Sequence, residues 1–161
     1  MKTTDLCDEY GGEVNVADPI GFKHYGACKE FHGRIETIKC HEDNSLVRTA
    51  VAKPGQGKVL VVDGGGSLRC ALLGDLLADK AQKNGWEGIV IYGCIRDSEV
   101  VATLDLGVMA LGTHPRKSEK RDIGLNDATL QFAGIRFVPG QYLYADIDGI
   151  VTSERALTLP K

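Results

Sequence analysis

Two almost unbroken apolar runs, Lys58–Asp63 (Lys-Val-Leu-Val-Val-Asp) and Gly88–Gly93 (Gly-Ile-Val-Ile-Tyr-Gly), constrain the fold more than any other feature of this chain. A strand with one wet face alternates apolar and polar residues. A strand that does not alternate is covered on both faces, as parallel strands are inside an α/β sheet. Between the two runs, Asp75–Asn84 collects strong helix formers and stops at Gly85, a residue suited to a helix C-terminus. Ser98–Leu104 predicts a further short helix and Leu106–Leu111 a third strand. The expected centre is a βαβαβ unit, whose crossovers are right-handed almost without exception.

The flanks carry weaker signals of the same kind. Thr4–Tyr10 predicts a short helix capped by Thr3 or Thr4. His32–His41 reads as a strand, and Leu46–Ala52 as a short helix stopped by the turn Pro54-Gly55-Gln56-Gly57. Gln131–Phe137 and Ile147–Thr152 return to strands separated by turns. The expected class is α/β, with a mixed or two-layer sheet and helices on one side. No repeat or low-complexity linker interrupts the chain, so residues 1–161 are expected to form a single domain.

Composition excludes several functions. A net charge of -3 with scattered Lys and Arg argues against a nucleic-acid partner, and the densest basic cluster, Lys117–Arg121, reads as a solvated loop. The N-terminus lacks the apolar core of a signal peptide, and no apolar stretch approaches the roughly 18–20 residues that cross a bilayer. A cytoplasmic location without a membrane partner is therefore expected. Cys7, Cys28, Cys40, Cys70 and Cys94 form no C-x-x-C pair and read as reduced thiols, mostly buried. His24, His32, His41 and His114 show no metal-ligand spacing. Gly64-Gly65-Gly66 is followed by Ser67-Leu68-Arg69 and not by the Lys-Ser/Thr of a phosphate loop, so it predicts a tight turn. Ser67 and Arg69 remain candidates for reaching a nearby ligand.

Two clusters at strand–helix junctions carry the chemistry. Gly74-Asp75-Leu76-Leu77-Ala78 puts unpaired backbone N–H groups at a helix start, where carboxylates and phosphates bind, and a glycine there admits close approach. The plainer alternative is that Gly74 makes a turn and Asp75 caps the helix. Gly93-Cys94-Ile95-Arg96-Asp97 pairs a guanidinium, able to grip a carboxylate or an enolate oxygen, with a carboxylate suited to a hard cation. Its plainer alternative is a surface Arg beside an N-capping Asp. Together, at the edge where strand C-termini gather ligands, the clusters suit a small anionic keto acid on a divalent metal.

The same residues resemble a known family. Leu60-Val61-Val62-Asp63-Gly64-Gly65-Gly66-Ser67, Gly74–Ala78, Trp86-Glu87-Gly88 and Tyr92-Gly93-Cys94-Ile95-Arg96-Asp97 are similar to the shared core of one group. It comprises the regulator of ribonuclease E activity A proteins and the class II 4-hydroxy-4-methyl-2-oxoglutarate aldolases. The opening Asp5-Leu6-Cys7-Asp8 and the closing Tyr142–Ile150 extend the resemblance over nearly the whole chain. The pattern separating aldolases from non-catalytic relatives, an Asp, twenty residues, then Arg-Asp, is intact as Asp75, residues 76–95, Arg96-Asp97.

The resemblance implies a compact β/β/α sandwich like the swivelling phosphohistidine domain, assembled as homotrimers or hexamers with sites at subunit interfaces. It implies metal-dependent cleavage of 4-hydroxy-2-keto acids to pyruvate, with oxaloacetate decarboxylation through the same enolate. Asp97 would then hold Mg²⁺ or Mn²⁺, and Arg96 would contact the keto or enolate oxygen. The amides of Gly74, Asp75, Leu76 and Leu77 would take the substrate carboxylate. Asp75 would orient water on the metal or help move a proton. The other branch of the family implies a non-catalytic regulator that binds a ribonuclease, which needs neither the metal nor the pattern.

Overall fold

The computed structural model describes residues 2–159. Helix α1 (Thr3–Tyr10) leads into β1 (Val14–Val16), β2 (Lys23–His24) and β3 (Phe31–Lys39), and α2 (Ser45–Val51) follows. The centre holds β4 (Lys58–Asp63), β5 (Ala71–Leu73), α3 (Asp75–Lys83), β6 (Gly88–Ile95), α4 (Ser98–Val101) and β7 (Gly107–Thr113). Five short strands close the chain: β8 (Leu125–Asn126), β9 (Leu130–Phe132), β10 (Ile135–Phe137), β11 (Tyr142–Asp146) and β12 (Gly149–Ser153). A large mixed sheet runs in the order β1-β12-β11-β3-β4-β6-β7-β2, with β5 also on β6 and β8 on β3, while β9 and β10 form a separate hairpin. The expected βαβαβ unit is present as β4-α3-β6-α4-β7, its strands parallel neighbours, and β3 joins β4 in parallel through α2.

Period-two alternation decides what each face touches. Leu60, Val62, Ile89, Ile91, Val108 and Ala110 pack with Val47 and Val51 of α2, Ala78 and Ala81 of α3 and Val101 of α4. Val59, Val61, Val90 and Met109 face the other way, onto Leu130, Phe132 and Phe137 of the hairpin. Both apolar runs are thus covered on both faces, by helices on one and by the hairpin on the other. Phe31 lies across β6 and β7 where both are glycine. A Cβ on the register partners Gly88 or Gly107 would come within 2.3 or 2.1 Å of its ring.

Several expected boundaries move. Thr3 lies inside α1 and caps nothing; Lys2 is at the cap, without a side-chain bond. Instead the Thr3 N–H and hydroxyl each donate to the Asp146 carboxylate at 2.7 Å, fastening the start of the chain to the end of β11. Gln131–Phe137 is two strands and not one, because Ala133 and Gly134 both take positive φ and turn the chain back. Ile147 stands in a turn, 74% exposed, and its strand begins only at Gly149. Helix α4 closes at Val101, short of Leu104, whereas β6 runs past Gly93 to Ile95. No helix among the described residues is long and apolar enough to cross a membrane.

Candidate active site

The three-residue strand β5 assembles the site. It pairs in parallel with the end of β6, with Leu73 opposite Ile95, and the Arg96 N–H donates to the Leu73 carbonyl at 2.9 Å. Gly74 and Arg96, the residues that leave these strands, therefore sit side by side although far apart in sequence. Asp97 then takes a left-handed conformation (φ 55°, ψ 40°), uncommon for any residue but glycine and best tolerated by Asp and Asn. That twist turns its carboxylate away from its own helix and back over the start of α3.

The contacts there bear on both readings of each cluster. The Asp75 N–H donates to Asp97 Oδ2 at 3.2 Å, and the Leu76 N–H donates to Asp75 Oδ1 at 2.9 Å. Asp97 occupies the N-cap position of α4 but makes no cap bond to it, and the residue at the cap of α3 is Gly74, not Asp75. The first amides of α3 thus already receive anionic oxygens, as a helix start should. Gly74 has an ordinary φ of -126°, so its role is space: a Cβ would lie 2.8 Å from Asp97 Oδ2 and 3.4 Å from Arg96 Cγ. Arg96 Nε stands 4.0 Å from Asp97 Oδ2, a loose pair with both side chains about two-fifths exposed.

A pocket of about 270 Å³ collects every residue expected from the two clusters: Gly74, Asp75, Leu76, Leu77, Arg96 and Asp97. It also takes in Asn44, Arg48, Lys117 and Lys120, which sequence reasoning missed. Lys117 and Lys120 are exposed, as a solvated loop should be, yet the loop is folded over the site. Ser118 between them is buried and donates to Asn44 Oδ1 at 2.8 Å, while the Asn44 amide side chain donates to the Leu72 carbonyl at 3.1 Å. The Ala71 N–H donates to the Arg116 carbonyl at 2.8 Å. The one sequence signal was a serine amid charges, which has no local meaning without its partner.

Asp43 anchors the far side of the same loop. It accepts the Ser45 N–H and hydroxyl at 2.9 and 2.5 Å, the Arg121 N–H at 2.8 Å and the Ile123 N–H at 3.2 Å. Burial by itself pushes its carboxyl up, but the bonds from Ser45, Arg121 and Ile123 outweigh that and hold it at about 2. A carboxyl depressed in the folded state stabilises above its ordinary value of 3.8 and loses that contribution as pH falls toward about 2. Asp43→Asn is therefore expected to cost about 1–3 kcal/mol at neutral pH. Thermal melts from pH 7 to pH 2 should show the variant lacking part of the acid destabilisation seen in the parent. Parallel melting curves would remove Asp43 from this role.

The other candidates fall outside the pocket. Ser67 Oγ and Arg69 Nε both donate to Glu42 Oε1, at 2.8 and 2.5 Å. The glycine run is a tight turn whose amides are spent internally: Gly64 and Gly66 donate to the Tyr92 carbonyl and Gly65 to Asp63. All five cysteines are free, and burial pushes the Cys40 thiol up to about 12, far from a nucleophilic thiolate. The donors in the pocket are oxygens: Asp97 with Asp75 beside it. Such a set suits a hard cation that keeps several waters and takes one or two carboxylates, and does not suit a zinc site of His or Cys.

Comparison with known proteins gives the family. The family described as RraA-like, Aldolase/RraA, matches residues 3–152. A protein of Ectopseudomonas mendocina (strain ymp), named "Putative 4-hydroxy-4-methyl-2-oxoglutarate aldolase", is 58% identical over 159 residues, spanning 99% of this chain and 98% of that protein. The crystal structure of a Geobacillus kaustophilus HTA426 protein described as S-adenosylmethionine: 2-dimethylmenaquinone methyltransferase superposes with a TM-score of 0.95 at 48% identity, covering 98% of this chain and 97% of that one. The RNA-processing inhibitor RraA from Thermus thermophilis superposes with a TM-score of 0.94 at 42% identity, over 98% and 95% of the two chains. These likenesses span both chains from end to end, and the chain belongs to the RraA-like family.

Proposed function

We propose that this protein is a divalent-metal-dependent class II aldolase that cleaves 4-hydroxy-4-methyl-2-oxoglutarate and similar 4-hydroxy-2-keto acids to pyruvate. On this reading it also decarboxylates oxaloacetate through the same pyruvate enolate. The observation that carries the proposal is the Asp97 carboxylate, turned from its own helix onto the start of α3 beside Arg96. The aldolase name of a 58% identical relative agrees with it.

Breaking the bond between C3 and C4 sends an electron pair toward the C2 carbonyl and leaves an enolate. Mg²⁺ or Mn²⁺, held by Asp97 with Asp75 alongside, would supply a Lewis acid for that charge. Arg96 stabilises the same developing charge through its guanidinium. The amides of Gly74 to Leu77, at the positive end of α3, would take the substrate carboxylate, which replaces the Asp97 oxygen on the Asp75 N–H and the Asp75 oxygen on the Leu76 N–H. Asp75, whose Oδ1 is held only by the neighbouring Leu76 amide, orients water or accepts the proton leaving the C4 hydroxyl. The enolate then takes a proton at C3 and departs as pyruvate.

The same reading carries a single domain with the layers of a swivelling phosphohistidine domain, assembled as a trimer or hexamer with this pocket at the subunit interface. Leu76, 80% exposed at the pocket's edge, is the apolar surface such an interface would cover. A second reading, inhibition of a ribonuclease by surface contact, is favoured by the likeness to the RNA-processing inhibitor RraA. A shared fold does not choose between them.

Pyruvate release does. Protein stripped with chelator is expected to be inert on 4-hydroxy-4-methyl-2-oxoglutarate and on oxaloacetate, and to recover on both when Mg²⁺ is restored. Folded protein that stays inert on both with Mg²⁺ or Mn²⁺ would overturn the aldolase reading and leave the ribonuclease reading.

A further inference from the structure

The large sheet leaves a gap where its two ends approach each other. Strand β2 stands at one end of the strand order and β1 at the other, yet residues 17–22 join them directly. The Ala17 N–H donates to the Ile150 carbonyl at 3.0 Å and the Asp18 N–H to the Ala133 carbonyl at 2.8 Å, which fixes the start of this loop. Across the seam, His24 of β2 reaches the end of β11, its Nε2 donating to the Asp146 carbonyl at 2.7 Å. Among the described residues no backbone hydrogen bond joins β2 to β11. A cavity of about 210 Å³ remains in the unzipped seam, between this loop, His24, Met109 and the turn at residues 147–149. It shares no residue with the candidate active site.

The polar side chains of this lining are all acceptors. A backbone carbonyl only accepts, so His24 Nε2 carries the ring proton and Nδ1 is a bare lone pair. Burial holds the imidazole below its ordinary value of 6.5, which keeps it neutral at pH 7. Nδ1 is closed to solvent and has no hydrogen-bond partner, a state that costs free energy until a donor reaches it. Asp18 and Asp148 add two exposed carboxylates. Among the described residues neither has a cationic nitrogen within 4.0 Å. Lys2 lies in the field of Asp148 but is bonded to Glu30. The rest of the lining is apolar: Met109 and Ile150 are buried, and the Phe22 ring packs 6.0 Å from that of Phe132.

We propose that this cavity binds a small primary amine with an apolar body. Asp18 and Asp148 draw its ammonium, which donates to His24 Nδ1, and its body lies on Phe22, Met109 and Ile150. The chemistry of the lining selects this class. An anion would meet two carboxylates and a bare lone pair. A neutral alcohol can donate to Nδ1 but gains nothing from the carboxylates. The two carboxylates and the imidazole do not converge as a metal set would. Size agrees as well: an apolar protein cavity of about 150 Å³ takes benzene, so this one has room for a single ring with a one-carbon amine arm. Because Nδ1 is closed to water, the ligand N–H reaches it as the lining parts. The seam is the place for that, held by a side chain and not by a ladder of backbone bonds.

The probes are benzylamine, benzyl alcohol and phenylacetate, which share the ring and differ in charge. Each is titrated into the full chain with NMR shifts as the readout, so no turnover is needed. Benzylamine is expected to bind about tenfold or more tightly than either of the others, with the largest shifts at Phe22, His24 and Ile150. The His24 Nδ1 resonance should move toward that of a hydrogen-bonded nitrogen. Asp18→Asn combined with Asp148→Ser, both at exposed side chains, should bring benzylamine down to the level of benzyl alcohol. His24→Gln keeps a donor for the Asp146 carbonyl and removes the bare acceptor, so it should weaken benzylamine about tenfold with the fold intact. Should that variant fail to fold, the Nδ1 resonance of the parent decides instead. Equal binding of the three probes, no binding of benzylamine, or an Nδ1 resonance that ignores it would overturn the proposal. So would shifts centred on Asp75 and Asp97, or an amine preference that survives loss of both carboxylates.

Discussion

Asp97→Asn is expected to abolish metal-dependent turnover, by about 10³-fold or more in kcat/KM, while the fold stays intact. The substitution is chosen for what it keeps. Asparagine tolerates the left-handed backbone that Asp97 adopts (φ 55°), and its side-chain oxygen still accepts the Asp75 N–H now bonded at 3.2 Å. The junction of β6, α3 and α4 is therefore preserved, and only the negative charge is lost. Asp97→Ala removes the side chain as well and places a Cβ residue without polar compensation in a conformation that costs roughly 1–2 kcal/mol. Two measurements separate the metal role from general damage. Mn²⁺ affinity should drop at least about tenfold in Asp97→Asn, and the melting temperature should barely move. A variant that keeps a tenth or more of the parent's turnover would remove Asp97 as the ligand.

Asp97 stands out in the sequence as a candidate, but the reason it meets Asp75 does not. Both long apolar runs declare buried parallel strands because covering two faces leaves no place for polar side chains, and both are found so, packed as Leu60 and Val62 on one side and Val59 and Val61 on the other. Strand β5 carries no such signal. Ala-Leu-Leu is too short to show a period, yet its pairing with the end of β6 lays Gly74 against Arg96. The hairpin of β9 and β10 was hidden for a different reason. Its turn uses Ala133 at positive φ, a residue that sequence rules do not assign to turns.

Lys117 and Lys120 show the limit from the other side. An exposed charge run looks the same whether it waves in solvent or is folded over a pocket. Here the difference lies in Asn44 and Asp43, more than seventy residues away in sequence. No local window contains both halves of that arrangement. The candidate pair Arg96-Asp97 is thus a short-range pattern that the sequence displays, and the cationic wall of the pocket is a long-range one that only the fold assembles.

Arg96→Lys is expected to lower kcat by about 10²-fold or more even though the positive charge is retained. The guanidinium has several donors in one plane, so it can lie near Asp97, 4.0 Å from Oδ2, and still offer N–H groups to an oxygen gaining charge. Its stem passes close to Gly74, where a Cβ would stand 3.4 Å from both Cγ and Nε, so the fork is aimed by contact as well as by length. An ammonium on a flexible stem has no such plane and is drawn toward the Asp97 carboxylate, spending its charge on the group proposed to hold the metal. Arg96→Lys is therefore expected to bind Mn²⁺ like the parent and to lose mainly kcat, because the contact it lacks is one that would strengthen only as an enolate forms. In Asp97→Asn, metal affinity and turnover fall together. A lysine variant with undiminished kcat would mean that charge alone suffices, and the enolate would then be stabilised without the planar fork of Arg96.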